Sequence, residues 1–275
     1  MARSIRRSRG QHTWLHRSQA LPAKQSMPHI VGMPSAGPPQ LRAALPRMAV
    51  LAGIWAGLTG LLLAVGVVVI HSAAITHFDQ HITRVVVDSR TATLNSAMRV
   101  VTWLGSWVAV VVAAGIIAAL VLTRRLPVLA FIVAVFAWAG ETGGVQIGKH
   151  VLSRERPPEA IRLVHVHGWS FPSGHAAAAS LVFTVLAWCL AVLARHRAVR
   201  ILGWLAAGLA IAATAFSRVE LGAHWTTDVI ASVVFVTCWL TAIAVLLGGR
   251  LRQPGPIRDQ TGGLGPMPRH DETHR

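Results

Sequence analysis

Six stretches of the chain run for about the length of a bilayer-spanning helix with almost no charge, and the polar residues are gathered between them. A hydrocarbon core about 30 Å thick takes roughly 20 apolar residues as α-helix. Met48–Ile70, Leu104–Thr123, Leu126–Gly148, His175–Ala194, Ile201–Ser217 and Asp228–Gly248 meet that requirement or come close to it. Two are less regular: Leu126–Gly148 holds Glu141 and the pair Gly143-Gly144, and Ile201–Ser217 is short. The pattern predicts an all-α integral membrane protein, a six-transmembrane-helix bundle over residues 48–248. The flanks, 1–47 and 249–275, are rich in Arg, Pro, Gly and Ser and show no apolar period. They read as disordered basic tails. Met48–Ile70 is longer than the ~7–15 apolar residues of a signal-peptide core, so it is expected to be a retained helix.

Composition agrees with this division. Charged residues make up 13% of the chain, apolar residues 53%, and Tyr is absent. A soluble domain carries about 25% charged residues. One water-soluble domain, a disordered chain and a disulfide-stapled module are therefore all excluded. The net charge of +16 could point to nucleic acid. Its distribution argues instead for a basic membrane protein with no nucleic-acid partner. With six spans, the tails share a side with Arg124-Arg125 and the Arg195–Arg200 loop, and that side holds 18 Lys and Arg against three acids. The other side holds eight against six. The positive-inside rule places both termini in the cytoplasm of a multi-pass cell-membrane protein. The loops His71–Trp103, Lys149–Gly174 and Arg218–Thr227 then face outward, with Trp103, Trp107, Trp169 and Trp225 where an aromatic belt would lie. Cys189 and Cys238 lie inside apolar stretches and read as small hydrophobes.

The outward loops carry polar residues that topology does not require. Lys149 ends the third span, and Arg156-Pro157 follow after six residues. Phe171-Pro172-Ser173-Gly174-His175 opens the fourth span. Ser217-Arg218, five residues, His224, three residues and Asp228 open the sixth. Three cations, two histidines, a serine and a carboxylate thus gather at one set of helix ends. A phosphoryl group in transfer spreads negative charge over three oxygens, so its site mainly positions and neutralises. Arg156 and Arg218 suit that task because guanidinium forks bind phosphate bidentately, and Lys149 adds a point charge. Ser173 and Gly174 precede a helix whose first N–H groups would face an anion. His224 and Asp228, four apart, would share a helix face. A carboxylate on Nδ1 leaves Nε2 free to attack phosphorus. His175, from another helix, could protonate the leaving oxygen. No carboxylate cluster offers a site for Mg²⁺, and neither a metal nor a cofactor is expected.

Lys149-x₆-Arg156-Pro157, Pro172-Ser173-Gly174-His175 and Ser217-Arg218-x₅-His224-x₃-Asp228 resemble the three signature motifs of the type-2 phosphatidic acid phosphatase family. That family includes lipid phosphate phosphatases and shares its site with vanadium haloperoxidases. The resemblance runs from about Phe78 to Gly248 and includes a Leu104-Gly105-Ser106 turn, as in bacterial members. It implies a six-helix fold, whose active site the charge bias puts at the extracytoplasmic helix ends. It also implies a metal-independent phosphohistidine mechanism on His224, with acid catalysis by His175, and phosphate binding by Lys149, Arg156, Ser173, Gly174 and Arg218. Glu220 departs from the pattern, standing where an apolar or aromatic residue is frequent, with an expected effect on the pocket rim.

Basic residues at a membrane surface ordinarily contact lipid headgroups, but these lie on the side that the charge bias disfavours and at motif spacing. His77–His81 and His165–His167 have ligand-like spacing without thiol or carboxylate companions. Glu141 is either a functional group within its span or a structural carboxylate, and both readings stand. The expected activity is removal of phosphate from a lipid phosphate or pyrophosphate entering from the bilayer. A lipid phosphotransferase would share the first half-reaction. A transporter or scramblase would need ionisable residues at mid-membrane depth in several spans, where only Glu141 qualifies. The charge bias gives a direct test of topology. A cysteine placed in the His165–Trp169 loop is expected to react with impermeant maleimide on intact cells, and one in the C-terminal tail is not. The reverse pattern would overturn the orientation.

Overall fold

The computed structural model describes residues 45–251. The expected tails lie outside them, except that the first and last helices each extend three residues into the segments expected to be disordered. The helices are α1 (Leu45–His71), α2 (Ala73–Asp88), α3 (Ala92–Val101), α4 (Trp107–Leu122), α5 (Val128–Leu152), α6 (Gly174–Leu193), α7 (Arg197–Glu220) and α8 (Thr226–Leu251). Short 3₁₀ turns occupy Thr102–Gly105 and Glu159–Ile161, and no strand occurs among the described residues.

Five helices are long and apolar enough to cross a membrane: Arg47–His71, Val128–Leu152, Gly174–Leu193, Arg197–Glu220 and Thr226–Leu247. The second expected span takes a different form. With 16 residues, α4 is about 24 Å long at 1.5 Å per residue. It makes a sixth crossing only together with Ala92–Gly105, from which it is bent by 48°. The spans are apolar on their outer faces too, where Trp107, Val111, Leu122, Leu209 and Val245 are exposed. Hydrophobicity all round is what a lipid-facing helix requires.

The centre of the bundle is α6, which packs against α4, α5, α7 and α8. Its buried face is built from Ala176, Ala177, Ala179 and Ser180, small residues that let neighbouring backbones approach where no hydrophobic effect drives helices together. The main core joins Leu51 and Leu62 of α1, Val145 of α5, Leu181 of α6 and Phe235, Val236 and Trp239 of α8. Gly144 explains why the third span is irregular: the Phe235 ring fills the space its Cβ would need. Glu141 is buried in the same helix and accepts a hydrogen bond from the neighbouring Thr142 hydroxyl (3.0 Å).

The loop expected at His71–Trp103 is instead mostly helical. Ser72 caps α2 by accepting from the Ile75 N–H (3.4 Å), and Thr91 caps α3 by accepting from the Leu94 N–H (3.1 Å). The partly buried Ile75, Ile82 and Val86 recur at helical spacing, as do Leu94, Met98 and Val101. The signal was therefore an amphipathic one, too polar to register as a span. Because α5 and α7 end where α6 and α8 begin, the long loop 153–173, the turn 221–225 and α2–α3 meet at one end of the bundle.

Gly105 ends the turn before α4 and is buried against α6. A Cβ there would collide with the His175 carbonyl oxygen and lie 2.8 Å from the Thr214 methyl. Backbone cannot yield cheaply, so Gly105→Ala is expected to cost about 1–3 kcal/mol as overpacking does, read as a lower thermal unfolding temperature in detergent. Gly115→Ala, with nothing within 4 Å of its Cβ position, is expected to leave that temperature unchanged or raise it slightly.

Candidate active site

The turn between α7 and α8 carries His224, which is 2% exposed. It sits just before the helix, not on it as the four-residue spacing predicted; α8 begins at Thr226. The pairing is made all the same, with His224 Nδ1 3.5 Å from Asp228 Oδ2. Asp228 lies in the first turn of α8, and Oδ2 also accepts the Trp225 N–H (3.0 Å), closing the turn that holds His224. Nε2 points the other way and meets Arg156 Nη1 at 3.1 Å. With the carboxylate on the Nδ1 side, the imidazole carries its proton there and presents a lone pair at Nε2. Burial pushes the His224 pKa down to about 4, against the hydrogen bond and charge of Asp228, and Arg156 and Arg218 add in the same direction as burial. The ring is therefore neutral at physiological pH.

Arg156 is held by main-chain carbonyls. Its guanidinium donates to Gly168 (2.8 Å), Ala223 (2.6 Å), His167 (3.1 Å) and Trp169 (3.1 Å). Lys149, in the last turn of α5, donates to the same Trp169 carbonyl at 2.7 Å. Arg218, in the last turn of α7, donates from Nη1 to Thr102 (2.6 Å). Its Nε is buried with no hydrogen-bond partner among the described residues. A buried, unpartnered cationic donor costs free energy until an acceptor arrives. His175, on the first turn of α6, lies within Coulombic reach of Lys149, Arg156, Arg218 and His224.

Ser173 is fully buried and caps α6, its hydroxyl accepting from the Ala176 N–H at 3.5 Å. Its own N–H donates to the Asp228 carbonyl (3.3 Å), tying the starts of α6 and α8 together. Gly174 follows, half-buried, as the first residue of α6. The structure thus brings Lys149, Arg156, Ser173, Gly174, His175, Arg218, His224 and Asp228 to one end of the bundle. Glu220 is different. It is fully buried and faces Arg90, with Nε 3.9 Å from Oε1, while Arg90 also donates to the carbonyls of Glu220 and Ile161. It forms no part of a pocket rim; it ties the α2–α3 connection to the end of α7.

Four polar neighbours escaped the sequence reading. Ser170 donates to Asp228 Oδ2 at 2.5 Å, and Arg154 donates to Oδ1 at 2.5 Å. Asp79 binds Arg154 from α2 (2.8 Å), and Thr102 binds Arg218. Arg154 lies within the Lys149-x₆-Arg156 spacing and Ser170 two residues before Pro172, so proximity to the motifs was the available signal. Asp79 had only its place as a buried acid on an amphipathic helix.

Comparison with known proteins bears on the fold and on the stretch that holds the motifs. Residues 125–252 match the PAP2 superfamily model. A segment of 86 residues is 37% identical to phosphatidylglycerophosphatase B of Bacillus subtilis (strain 168), covering 30% of this chain and 40% of that relative's length. The crystal structure of a transmembrane PAP2-type phosphatidylglycerolphosphate phosphatase from Bacillus subtilis superposes with a TM-score of 0.62 at 23% identity, over 73% of this chain and 98% of that one. The last likeness is one of fold. The apolar helices and the likeness of fold make the chain a multi-pass membrane protein, and its residues 125–252, which hold all three motifs, are similar to the PAP2 superfamily.

Proposed function

We propose that the protein is a metal-independent phosphatase of lipid phosphate or pyrophosphate esters, with His224 as nucleophile and its site on the extracytoplasmic face. The observation that carries this is the His224 ring, with Nδ1 facing Asp228 and Nε2 facing Arg156 at 3.1 Å. A phosphoryl group entering between Nε2 and Arg156 would meet a lone pair on one side and a guanidinium fork on the other. Lys149, and Arg218 with its unpartnered Nε, supply the remaining positive charge. Three fixed cations can neutralise three equatorial oxygens electrostatically, which is most of what phosphoryl transfer needs.

In this reading Nε2 attacks phosphorus in line and the phosphorus–oxygen bond to the lipid breaks. His175, which takes up a proton once the bound phosphate offsets the cations around it, gives that proton to the departing oxygen. Water then hydrolyses the phosphohistidine, and the now deprotonated His175 accepts the proton of that water, by microscopic reversibility. The Ser173 and Gly174 end of α6 adds N–H groups and a positive dipole end. Exposed apolar surface on every span supports a substrate with a hydrocarbon tail, drawn from the bilayer. The likeness to phosphatidylglycerophosphatase B supports the same class of head and tail.

The test is a panel of phosphatidic acid, phosphatidylglycerol phosphate and polyprenyl pyrophosphate, assayed with purified protein in detergent and EDTA. Phosphate release from at least one is expected to persist in the chelator and to be inhibited by orthovanadate, whose five-coordinate form resembles the transferring phosphoryl group. Activity lost in EDTA and restored by Mg²⁺ would contradict the mechanism. Phosphate passed to another lipid, with none released, would make the protein a phosphotransferase.

A further inference from the structure

Behind His224 and Asp228 lies a second, buried charge cluster. Arg154 is 8% exposed and Asp79 is 1% exposed. Arg154 Nη1 donates to Asp228 Oδ1 (2.5 Å) and to the Thr227 hydroxyl (2.9 Å), and Nη2 donates to Asp79 Oδ2 (2.8 Å). Asp79 in turn accepts the Thr227 N–H (3.0 Å) and its hydroxyl (2.5 Å), so it also caps α8. The guanidinium lies over the Trp225 ring, 5.8 Å from its centroid. The main-chain carbonyl of Arg154 accepts the Ser170 N–H (2.8 Å), and Ser170 donates to Asp228 Oδ2. Neither Asp79 nor Arg154 touches Nε2 of His224 or the ring of cations that faces it.

We propose that Asp79 and Arg154 are positioning residues, which hold the Asp228 carboxylate and through it fix the orientation and charge balance of His224. The inference rests on the reading of His224 as the nucleophile. Asp228 could rotate about its side-chain torsions to follow any donor, but a guanidinium fork anchored on a second carboxylate leaves its Oδ1 one position. The same fork ties α2 to the start of α8. Burying one arginine between two carboxylates is costly unless its donors are paired, and here Nη1 is paired with Asp228 and Thr227 and Nη2 with Asp79.

The cluster also sets an electrostatic balance that can be measured. The charged and titratable groups facing the His224–Asp228 pair are Asp79 of α2, Lys149 of α5, Arg154 and Arg156 of the long loop, His175 of α6 and Arg218 of α7. Removing the positive charge of Arg154 leaves the carboxylate field on His224 less opposed and makes its protonation easier. Removing the negative charge of Asp79 does the opposite. Loss of packing alone would produce no such pair of opposite effects.

The experiment is a ¹⁵N titration of histidine-labelled protein in detergent, with the His224 resonance identified by its loss in His224→Gln. The wild-type midpoint is expected near pH 4. Arg154→Gln is expected to raise it by about one pH unit, and Asp79→Asn to lower it by a smaller amount. Arg154→Lys keeps the charge and is expected to leave the midpoint near wild type while losing the fork. On a lipid substrate, all three variants are expected to lose kcat about 10- to 100-fold, as outer residues around a reactive centre do, with KM changed far less because Lys149, Arg156 and Arg218 are intact. Midpoints that stay put, or move in the same direction in Arg154→Gln and Asp79→Asn, would overturn the proposal. So would unchanged kcat in Arg154→Lys. If Arg154→Gln fails to fold, the other two variants decide. If the wild type hydrolyses no lipid phosphate, the proposed function falls, and the titration still decides the positioning.

Discussion

The Asp228 carboxylate is fully buried at the start of a membrane-crossing helix, and the site is arranged around that one charge. Removing an ion from water costs several kcal/mol even after relaxation, and the cost is met only if each oxygen finds donors. Asp228 finds Arg154 on Oδ1, and Ser170, the Trp225 N–H and His224 on Oδ2. Those donors come from the two connections that join α5 to α6 and α7 to α8, and Asp79, accepting from Arg154, links them to α2. Satisfying one buried anion therefore fixes the relative placement of five helices. It also gives His224 a tautomer and a direction.

The bilayer shapes the rest. Helices in lipid gain nothing from hiding apolar surface, so close approach has to come from small residues. The alanine face of α6 and the glycines of α5 provide it, and the close seat of Gly105 on the His175 carbonyl continues it into the site. Positive charge is the more unusual feature. Lys149, Arg156 and Arg218 repel one another, and what holds them is a set of carbonyls and one threonine hydroxyl rather than carboxylates. Such an arrangement leaves the positive charge poorly neutralised, which is the condition for attracting an anion.

Much of this was legible in the sequence because spans and motifs are signalled by different physics. Twenty apolar residues without charge have little choice but to cross a bilayer as helix, and five of the six expected spans match single helices closely. The sixth was blurred by the bend at Ser106. Residues such as His224 and Arg218 stood out through linked spacing. What the sequence hid were relationships made across the chain. Asp79 reaches Arg154 over 75 positions and Arg90 reaches Glu220 over 130, and neither pairing leaves a local pattern. The helices α2 and α3 were hidden for another reason: an amphipathic pair among polar residues resembles a loop when only hydropathy is weighed. Glu220 was misplaced because its position in the motif gave no indication that Arg90 lay behind it.

The central claim is that phosphate passes through a covalent bond to Nε2 of His224. It is tested most directly by mixing the enzyme with a ³²P-labelled lipid phosphate, quenching in alkali within milliseconds, and locating the label by peptide mapping. The account predicts a transient, acid-labile and alkali-stable phosphoramidate on the peptide containing His224, absent from His224→Gln. Label on Ser173 or His175 instead, or rapid turnover with no protein-bound phosphate at any time, would contradict it.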